Sequence, residues 1–289
     1  MSTFNSSMFD SIKGALSKQE ERNSYADILS MKAGNTYTVR LLPNVEAPEK
    51  SFFHYYTVGW ESFATGQYVQ SISPQSFGER DPILEARYRI YKHGTDDEKE
   101  KIKSVRRAEK WLVNAYVVDD TENPDNNGEI KIIRYGKQLD KIIRRAIDGE
   151  DSDEFGARVF DLGSNGVNLK IEVESQGEYP TYVSSRFTGS KSDLGLSDSR
   201  VEEIYKSIHK LDEVFQVKSY EELEKMFQEH YLVNESTTDN YSTPAVQESA
   251  PPVVANTVPD TNNVPVATEA ATDDDDDSIV AELLAGIDD

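Results

Sequence analysis

Hydrophobic and polar positions follow two different periods through the middle of the chain. Residues 110–118 and 129–134 carry apolar and aromatic side chains with the alternation typical of strands, and turn residues fill the polar segment 119–128 between them. Residues 137–147 then repeat apolar side chains at helical spacing. The pattern predicts a strand, a polar loop, a second strand and a short amphipathic helix.

The same periods predict further elements on both sides of this stretch. Strands or hairpins are expected at 37–42, 52–60, 61–81 and 158–173. Helices are expected at 83–91, 96–107, 201–211 and 220–231. Asp81 before Pro82 is typical of a helix N-cap followed by proline in the first turn, and Ser219 is expected to cap the last helix. The fold class that this pattern predicts is mainly β with helices.

The two ends of the chain differ from its body. Residues 1–24 form a weak amphipathic pattern that is too short to bury its apolar face alone. Three alternatives stay open for this arm: it docks on a neighbouring copy, folds onto its own domain or is disordered. Residues 235–272 lack apolar periodicity, which is typical of a flexible linker. Residues 273–289 join five aspartates to an apolar helical stripe, which favours a peptide that docks into partner proteins.

Charge is distributed unevenly along the 289 residues. The formal net charge is −22, and residues 236–289 contribute 12 acidic side chains and no basic one. Residues 86–145, in contrast, hold 15 basic and 11 acidic side chains. Salt screens charges that are separated by more than about 10 Å, so this local basic region can bind phosphates although the whole chain is acidic.

Some classes of protein and site are excluded or disfavoured. The chain has no cysteine, which excludes disulfides and thiolate metal sites. We see neither an apolar run of membrane-spanning length nor a secretory leader, and no phosphate loop or hydrolase motif occurs. Acidic pairs are abundant, but they lie in predicted turns and helix starts, where carboxylates stabilise the local backbone. They are therefore weak evidence for a metal-dependent nuclease site. His54 has no ligand-type partner at usable spacing, so we interpret it as a partly buried polar residue.

Aromatic and cationic side chains are interleaved within residues 106–145. The rings are Trp111, Tyr116 and Tyr135, and cations recur on both strands and the helix. An unpaired nucleic-acid strand needs flat rings for its bases and cations for its backbone, so the stretch favours single-strand binding. Strand aromatics also pack in ordinary cores, and helix cations are often simply solvated. Two rival functions therefore stay open here: an acidic adaptor or DNA-mimic protein that binds other proteins, and a metal-dependent nuclease.

Several segments resemble the single-stranded-DNA-binding (helix-destabilising) proteins of T-even-type bacteriophages. They are YTVRLLPN from residue 37, WLVNAYVVDD from 111, NPDNNGEIKIIRYGK from 123, FDLGSNGVNLKIEV from 160, YVSSRF from 182 and the terminal LLAGIDD. The resemblance implies an OB-fold core with an inserted aromatic and helical subdomain. It also implies an N-terminal arm for cooperative self-association and an acidic tail that recruits other proteins.

This resemblance divides the chain into four expected parts. Residues 1–24 are the self-association arm, residues 25–234 the OB-fold core with an insert at about 52–107, residues 235–272 the linker, and residues 273–289 the partner-docking tail. The implied function is non-enzymatic binding of single-stranded DNA, without strong sequence preference, during viral DNA replication, recombination and repair. The expected location is the cytoplasm of the infected bacterial host. Expected partners are single-stranded DNA, further copies of the chain along it, and a polymerase, helicase loader and recombination mediator at the tail, with no membrane.

The sequence pattern and the resemblance together assign residues to these roles. Arg106, Arg107 and Lys110 come from the interleaved cations of residues 106–145, and the other expected DNA-binding residues come from the resemblance. The expected DNA-binding residues are Tyr88, Arg89, Arg106, Arg107, Lys110, Trp111, Arg134, Tyr135, Lys137, Tyr182 and Arg186. Those expected for self-association are Lys13, Lys18 and Arg22. Those expected for partner docking are Asp273, Asp274, Asp275, Asp276, Asp277, Leu283, Leu284 and Ile287.

One feature of the family's type member has no counterpart in this sequence. That protein holds zinc in its inserted subdomain through one His and three Cys, and the Cys-Pro-x-Cys part of the site corresponds here to Asp81-Pro82-Ile83-Leu84. No cofactor is therefore expected. We predict instead that helix capping by Asp81 and packing of Ile83 and Leu84 hold this subdomain together.

Overall fold

The computed structural model describes residues 26–177 and 179–232, and β-strands make up most of its framework. The strands are β1 (Thr36–Leu42), β2 (Phe52–Glu61), β3 (Tyr68–Ile72), β4 (Arg106–Asp120), β5 (Ile130–Tyr135), β6 (Leu169–Glu172), β7 (Glu174–Gln176), β8 (Tyr179–Thr181) and β9 (Arg186–Phe187). The helices are α1 (Pro82–His93), α2 (Asp96–Ile102), α3 (Lys137–Asp148), α4 (Asp198–Lys206) and α5 (Tyr220–His230). The predicted class, mainly β with helices, is confirmed.

The 15-residue strand β4 organises the main sheet, in which all the strand pairs are antiparallel. Residues 106–113 of β4 pair with β2, and residues 114–120 pair with β1 along the same edge. β5 occupies the opposite edge, because Val113 pairs with Phe52 of β2 and also with Ile133 of β5. β5 reaches only residues 111–116 of β4. Within the described part of the chain, residues 106–110 are therefore paired with β2 alone.

Two hydrophobic cores lie against the same face of this sheet. Directly opposed residues in antiparallel strands share a face, so Arg107, Glu109, Trp111 and Val113 define face A of β4, and the alternate residues define face B. The main core includes Val113 and packs under α3. The second core joins Val58 of β2 to α1 and α5. The stretch of face A between these cores carries polar and aromatic side chains instead of a continuous apolar layer.

A third apolar cluster covers part of face B. Tyr55 of β2, Leu112 of β4 and Ile132 of β5 pack there under the segment that follows α4, through Leu211, Val214 and Phe215. Both faces of the sheet are thus partly buried. This arrangement accounts for the rings on both faces of β2, which exceed what a one-sided core requires.

The start of α1 has the local structure that its sequence predicts. The Asp81 carboxylate accepts hydrogen bonds from the backbone N–H groups of Ile83, at 2.9 Å, and of Leu84, at 3.2 Å. The Ser73 hydroxyl donates a further hydrogen bond of 2.6 Å to the same carboxylate. Ile83 and Leu84 are both buried in the second core. The predicted cap and the predicted packing are confirmed.

Three predicted elements differ from the structure. The helix expected at 201–211 ends at Lys206. The helix expected at 96–107 ends at Ile102, and Arg106 and Arg107 begin β4, because pairing with β2 takes up their backbone groups. The hairpin expected at 158–173 is instead a 3₁₀ turn, Gly156–Phe160, followed by β6, which pairs with β1. The buried Arg40 guanidinium donates hydrogen bonds to the carbonyl of Asp161 and to Asn168 Oδ1. The loop between Asp161 and Asn168 is therefore held by the Arg40 side chain.

Residues 1–25 and 233–289 lie outside the described residues. They contain the predicted self-association residues Lys13, Lys18 and Arg22, and all the predicted partner-docking residues of the tail. Among the helices that the structure describes, none combines the length and the apolar character needed to cross a membrane.

Candidate nucleic-acid interface

The part of β4 that pairs with β2 only, among the strands that the structure describes, forms the centre of the candidate site. We call residues 106–110 the open edge. β5 begins to pair with β4 at Trp111, where it meets Tyr135, and Gly136 then serves as the N-cap of α3. The open edge therefore ends beside the first turn of α3, which begins at Lys137.

Five of the predicted cations gather around the open edge. Arg106 and Lys110 project from face B, as does Arg134 of β5, which is paired with Leu112. Arg107 projects from face A, and Lys137 reaches that side from the start of α3. Arg106 and Lys137 are exposed, Arg107 and Arg134 are partly buried, and Lys110 is only 7% exposed. The alternation of β4 thus distributes positive charge to both sides of one strand edge.

A row of aromatic rings crosses face A beside these cations. The Arg107 guanidinium lies 3.4 Å from the centroid of the Tyr56 ring. The Tyr56 and His54 centroids are 4.7 Å apart, those of His54 and Trp111 are 4.9 Å apart and stacked, and those of Trp111 and Tyr135 are 6.0 Å apart. We call Tyr56, His54, Trp111 and Tyr135 the ring row.

Exposure differs sharply along the ring row. Trp111 is 6% exposed and Tyr135 3%, and both belong to the main core. The His54 side chain is 40% exposed, and Tyr56 is partly buried. The accessible end of the row therefore consists of two residues that the sequence analysis did not select. The high density of aromatic residues at 52–60 was the feature of the sequence that could have indicated them. The stacking role of Trp111 and Tyr135 stays a prediction.

Face B presents another ring next to the open edge. Tyr68 of β3 is 51% exposed, and its ring lies over Gly59, which pairs with Arg106. A Cβ atom at Gly59 would stand 2.6 Å from the Tyr68 hydroxyl oxygen, so the glycine makes this close approach possible. Partial burial raises the pKa of Tyr68, and the charge of Arg106 acts in the opposite direction. Tyr68 was not selected from the sequence either.

Glu109 is the single acidic residue of the open edge. Its Oε2 lies 3.6 Å from Lys137 Nζ, and its Oε1 lies 4.0 Å from His54 Nε2. Burial lowers the pKa of His54; Glu109 and Asp140 oppose this shift, and Arg107 and Arg144 add to it. One carboxylate therefore stands between a lysine and a histidine on the face that carries the ring row.

The remaining predicted residues lie elsewhere. On α1, Tyr88 is partly buried and accepts a 3.1 Å hydrogen bond from Lys92, while Arg89 is exposed. Tyr182 is buried in the main core, and its backbone N–H donates to Gln138 at 2.8 Å. Arg186 lies on β9, at the opposite end of the sheet order from β3. Arg186 thus lies far from the open edge in the sheet order, whereas Tyr182 is hydrogen-bonded to the first turn of α3. The DNA-binding roles of these four residues stay predictions.

The described residues do not form a zinc site of the type held by one His and three Cys. The sequence contains no cysteine. The Asp81 carboxylate, which stands where the first Cys of the Cys-Pro-x-Cys motif is expected, is engaged in capping α1. Among residues 26–177 and 179–232, no group of three or more potential ligands is placed to hold a metal ion.

Comparison with known proteins identifies one family. A family model described as "gp32 DNA binding protein like" matches residues 32–231, which include the open edge and the ring row. No curated protein matches the chain. By its description the family consists of DNA-binding proteins, and it is not a family of enzymes.

Proposed function

The chain belongs to the gp32 DNA-binding-protein-like family, and from this premise we propose that it binds single-stranded DNA along the open edge of β4. The family resemblance read from the sequence motifs is confirmed. The observation that supports the proposed location is the convergence of five cationic side chains on a strand edge with accessible rings on both faces. Arg106, Arg107, Arg134 and Lys137 are its proposed phosphate partners.

The chemistry of the edge matches an unpaired strand better than a duplex. The bases of a single strand are exposed, and each base that stacks on an aromatic ring contributes roughly 1–3 kcal/mol. His54 and Tyr56 on face A and Tyr68 on face B offer such rings. Duplex bases are already stacked inside the helix, so a duplex can use the cations alone. Every base has a π-face, which makes binding by stacking largely independent of sequence.

Fluorescence titration tests this proposal directly. The chain has two tryptophans, and Trp60 is buried in the second core whereas Trp111 lies in the ring row. Trp111 is buried but stacked on the accessible His54, so in a Trp60→Phe variant we expect a thymidine oligonucleotide to change the Trp111 emission more than duplex DNA of equal length does. The logarithm of the affinity should fall linearly with the logarithm of the salt concentration, because bound phosphates release counterions. If neither DNA changes the emission at low salt, an acidic adaptor becomes the better interpretation.

We further propose the finer features that the resemblance implies. The antiparallel pairs of β1 with β4 and β6, and of β4 with β5, surround one apolar core under α3, which supports an OB-fold for residues 25–234. The second core supports an inserted subdomain. The proposed roles are in viral DNA replication, recombination and repair in the infected bacterial cytoplasm. The proposed partners of the acidic tail are replication and recombination proteins, and cooperative self-association is assigned to residues 1–24.

A further inference from the structure

Glu109 occupies an unfavourable position for a residue next to bound phosphates. Its carboxylate lies within the cation cluster of the open edge, 3.6 Å from Lys137 Nζ. A phosphate that approaches Lys137 must compete with this carboxylate. The approach also brings a second anion close to Glu109, and two like charges in proximity disfavour each other. This repulsion is relieved if a side chain next to Glu109 becomes positively charged when DNA binds.

His54 is placed to supply that cation. Its Nε2 lies 4.0 Å from Glu109 Oε1, and its ring is held between Trp111, at 4.9 Å, and Tyr56, at 4.7 Å. The other charged groups that act on it are Arg107 of β4 and Asp140 and Arg144 of α3. Asp140 and Arg144 are paired with each other at 2.6 Å, so Glu109 is the carboxylate whose pairing changes when Lys137 is engaged elsewhere.

We propose that Glu109 and His54 are positioning residues for Lys137 that couple single-stranded DNA binding to the uptake of one proton. This inference rests on the proposed function. In the free protein, burial and the two arginines keep the pKa of His54 low, so the imidazole is neutral near pH 7 and Glu109 holds Lys137. When a DNA phosphate draws Lys137 away, the carboxylate loses its cation. A proton from solvent then binds the imidazole, and the imidazolium takes the place of the lysine beside Glu109.

The coupling is reciprocal, which fixes the direction of the pH effect. Because DNA raises the pKa of His54, protonation of His54 must tighten DNA binding by the same factor. The affinity for DNA therefore rises as the pH falls through the pKa values of His54 in the DNA-bound and the free protein. The gain is limited to about tenfold for each unit by which DNA raises the pKa. Phosphate contacts alone give no such dependence over this range, since Lys and Arg stay charged throughout it.

The experiment measures the dissociation constant of the full chain for a thymidine oligonucleotide between about pH 8.5 and pH 5.5, at constant ionic strength. The wild-type chain should bind more tightly at the acidic end. His54→Phe keeps a ring in the row and has no titrating nitrogen, so its affinity should lose this pH dependence. His93→Phe is the matched control, because His93 is exposed at the end of α1, and it should retain the wild-type dependence.

The variant Glu109→Gln tests the role of the carboxylate independently of the role of the histidine. Removing the charge of Glu109 abolishes the ion pair that competes with phosphate for Lys137 and takes away the partner of the imidazolium, so binding at pH 8 should tighten and the pH dependence should disappear. Calorimetric titrations in two buffers of different ionisation enthalpy report the proton uptake of the wild-type chain independently. Circular dichroism confirms that each variant is folded, and His54→Gln provides a second non-titrating variant if His54→Phe is not.

The outcomes distinguish this inference from the function on which it rests. If the wild-type chain binds no single-stranded DNA at any pH, the proposed function is wrong. If it binds without pH dependence, or if the folded His54 variants keep the wild-type dependence, binding stands and the proton coupling is overturned.

Discussion

At the scale of single residues, the orientation of each cation decides what it contributes. Arg106 and Arg107 are neighbours in sequence but project from opposite faces of β4. Arg107 covers the Tyr56 ring at 3.4 Å, an arrangement that combines a charge with a π-face. Arg106 stands beside the exposed Tyr68. Each arginine thus belongs to a separate pair of ring and cation, one on each face of β4.

Replacing Arg106 or Arg107 with alanine should weaken single-stranded DNA binding. Each change removes one phosphate contact, so we expect the slope of log affinity against log salt to become shallower by about 0.7 for a single strand. The measurement is a titration at four or more salt concentrations. Lys225→Ala is the control, since Lys225 is exposed on α5 and pairs with Glu229. A slope that is unchanged in both arginine variants would place the phosphates elsewhere on the molecule.

At the scale of elements, β4 and α1 show two ways in which a boundary is set. The start of β4 is fixed by its pairing with β2, because residues 106–113 find their partners on a strand about fifty residues earlier in sequence. The start of α1 is fixed locally, by Asp81 and Pro82. Helix caps are short-range devices and can be read from sequence. Strand ends that depend on a distant partner cannot be read in this way, which explains why the predicted helix extended too far into residues 103–107.

Removing the cap of α1 should destabilise the protein. Asp81→Ala leaves the N–H groups of Ile83 and Leu84 and the Ser73 hydroxyl without their acceptor. We expect a loss of roughly 0.5–2 kcal/mol in the free energy of unfolding, measured by denaturant titration of the full chain. Glu79→Ala, which changes an exposed carboxylate two residues earlier, should have little effect. Equal stability of the two variants would mean that the cap contributes nothing beyond its charge.

At the scale of the whole molecule, the distribution of charge matters more than its sum. A chain with a net charge of −22 has a region of 15 basic and 11 acidic residues that supplies the cations of the open edge. Residues 236–289 carry 12 acidic and no basic side chains. We propose that this tail competes with DNA for the cations as a tethered polyanion, and that DNA displaces it and makes its apolar stripe accessible to partner proteins.

Truncation after Asn234 should therefore tighten binding of single-stranded DNA at low salt. The difference from the full chain should shrink as salt is added, because the screening length falls to about 3 Å at 1 M ionic strength. A full-length variant with Asp273 to Asp277 changed to Asn separates charge from chain length and should behave like the truncation. Affinities that are the same for all three proteins at low salt would rule out the competition.

The sequence by itself determined the features that depend on residues close to each other along the chain. Alternation located β1, β2 and β5, and helical spacing located α1, α3 and α5, because each period is a property of one continuous segment. Composition located the basic region and identified the cations that surround the open edge. The family motifs, read in their order, identified the DNA-binding family.

Tertiary structure alone decided how these parts meet. Sequence placed Arg106, Arg107, Lys110 and Trp111 in one groove, but the register of β4 with β2 divides them between two faces. The same register stacks His54 on Trp111 and leaves Glu109 between His54 and Lys137. These contacts join residues that are far apart in the chain, and their geometry follows from strand register and shared cores, which no local pattern encodes.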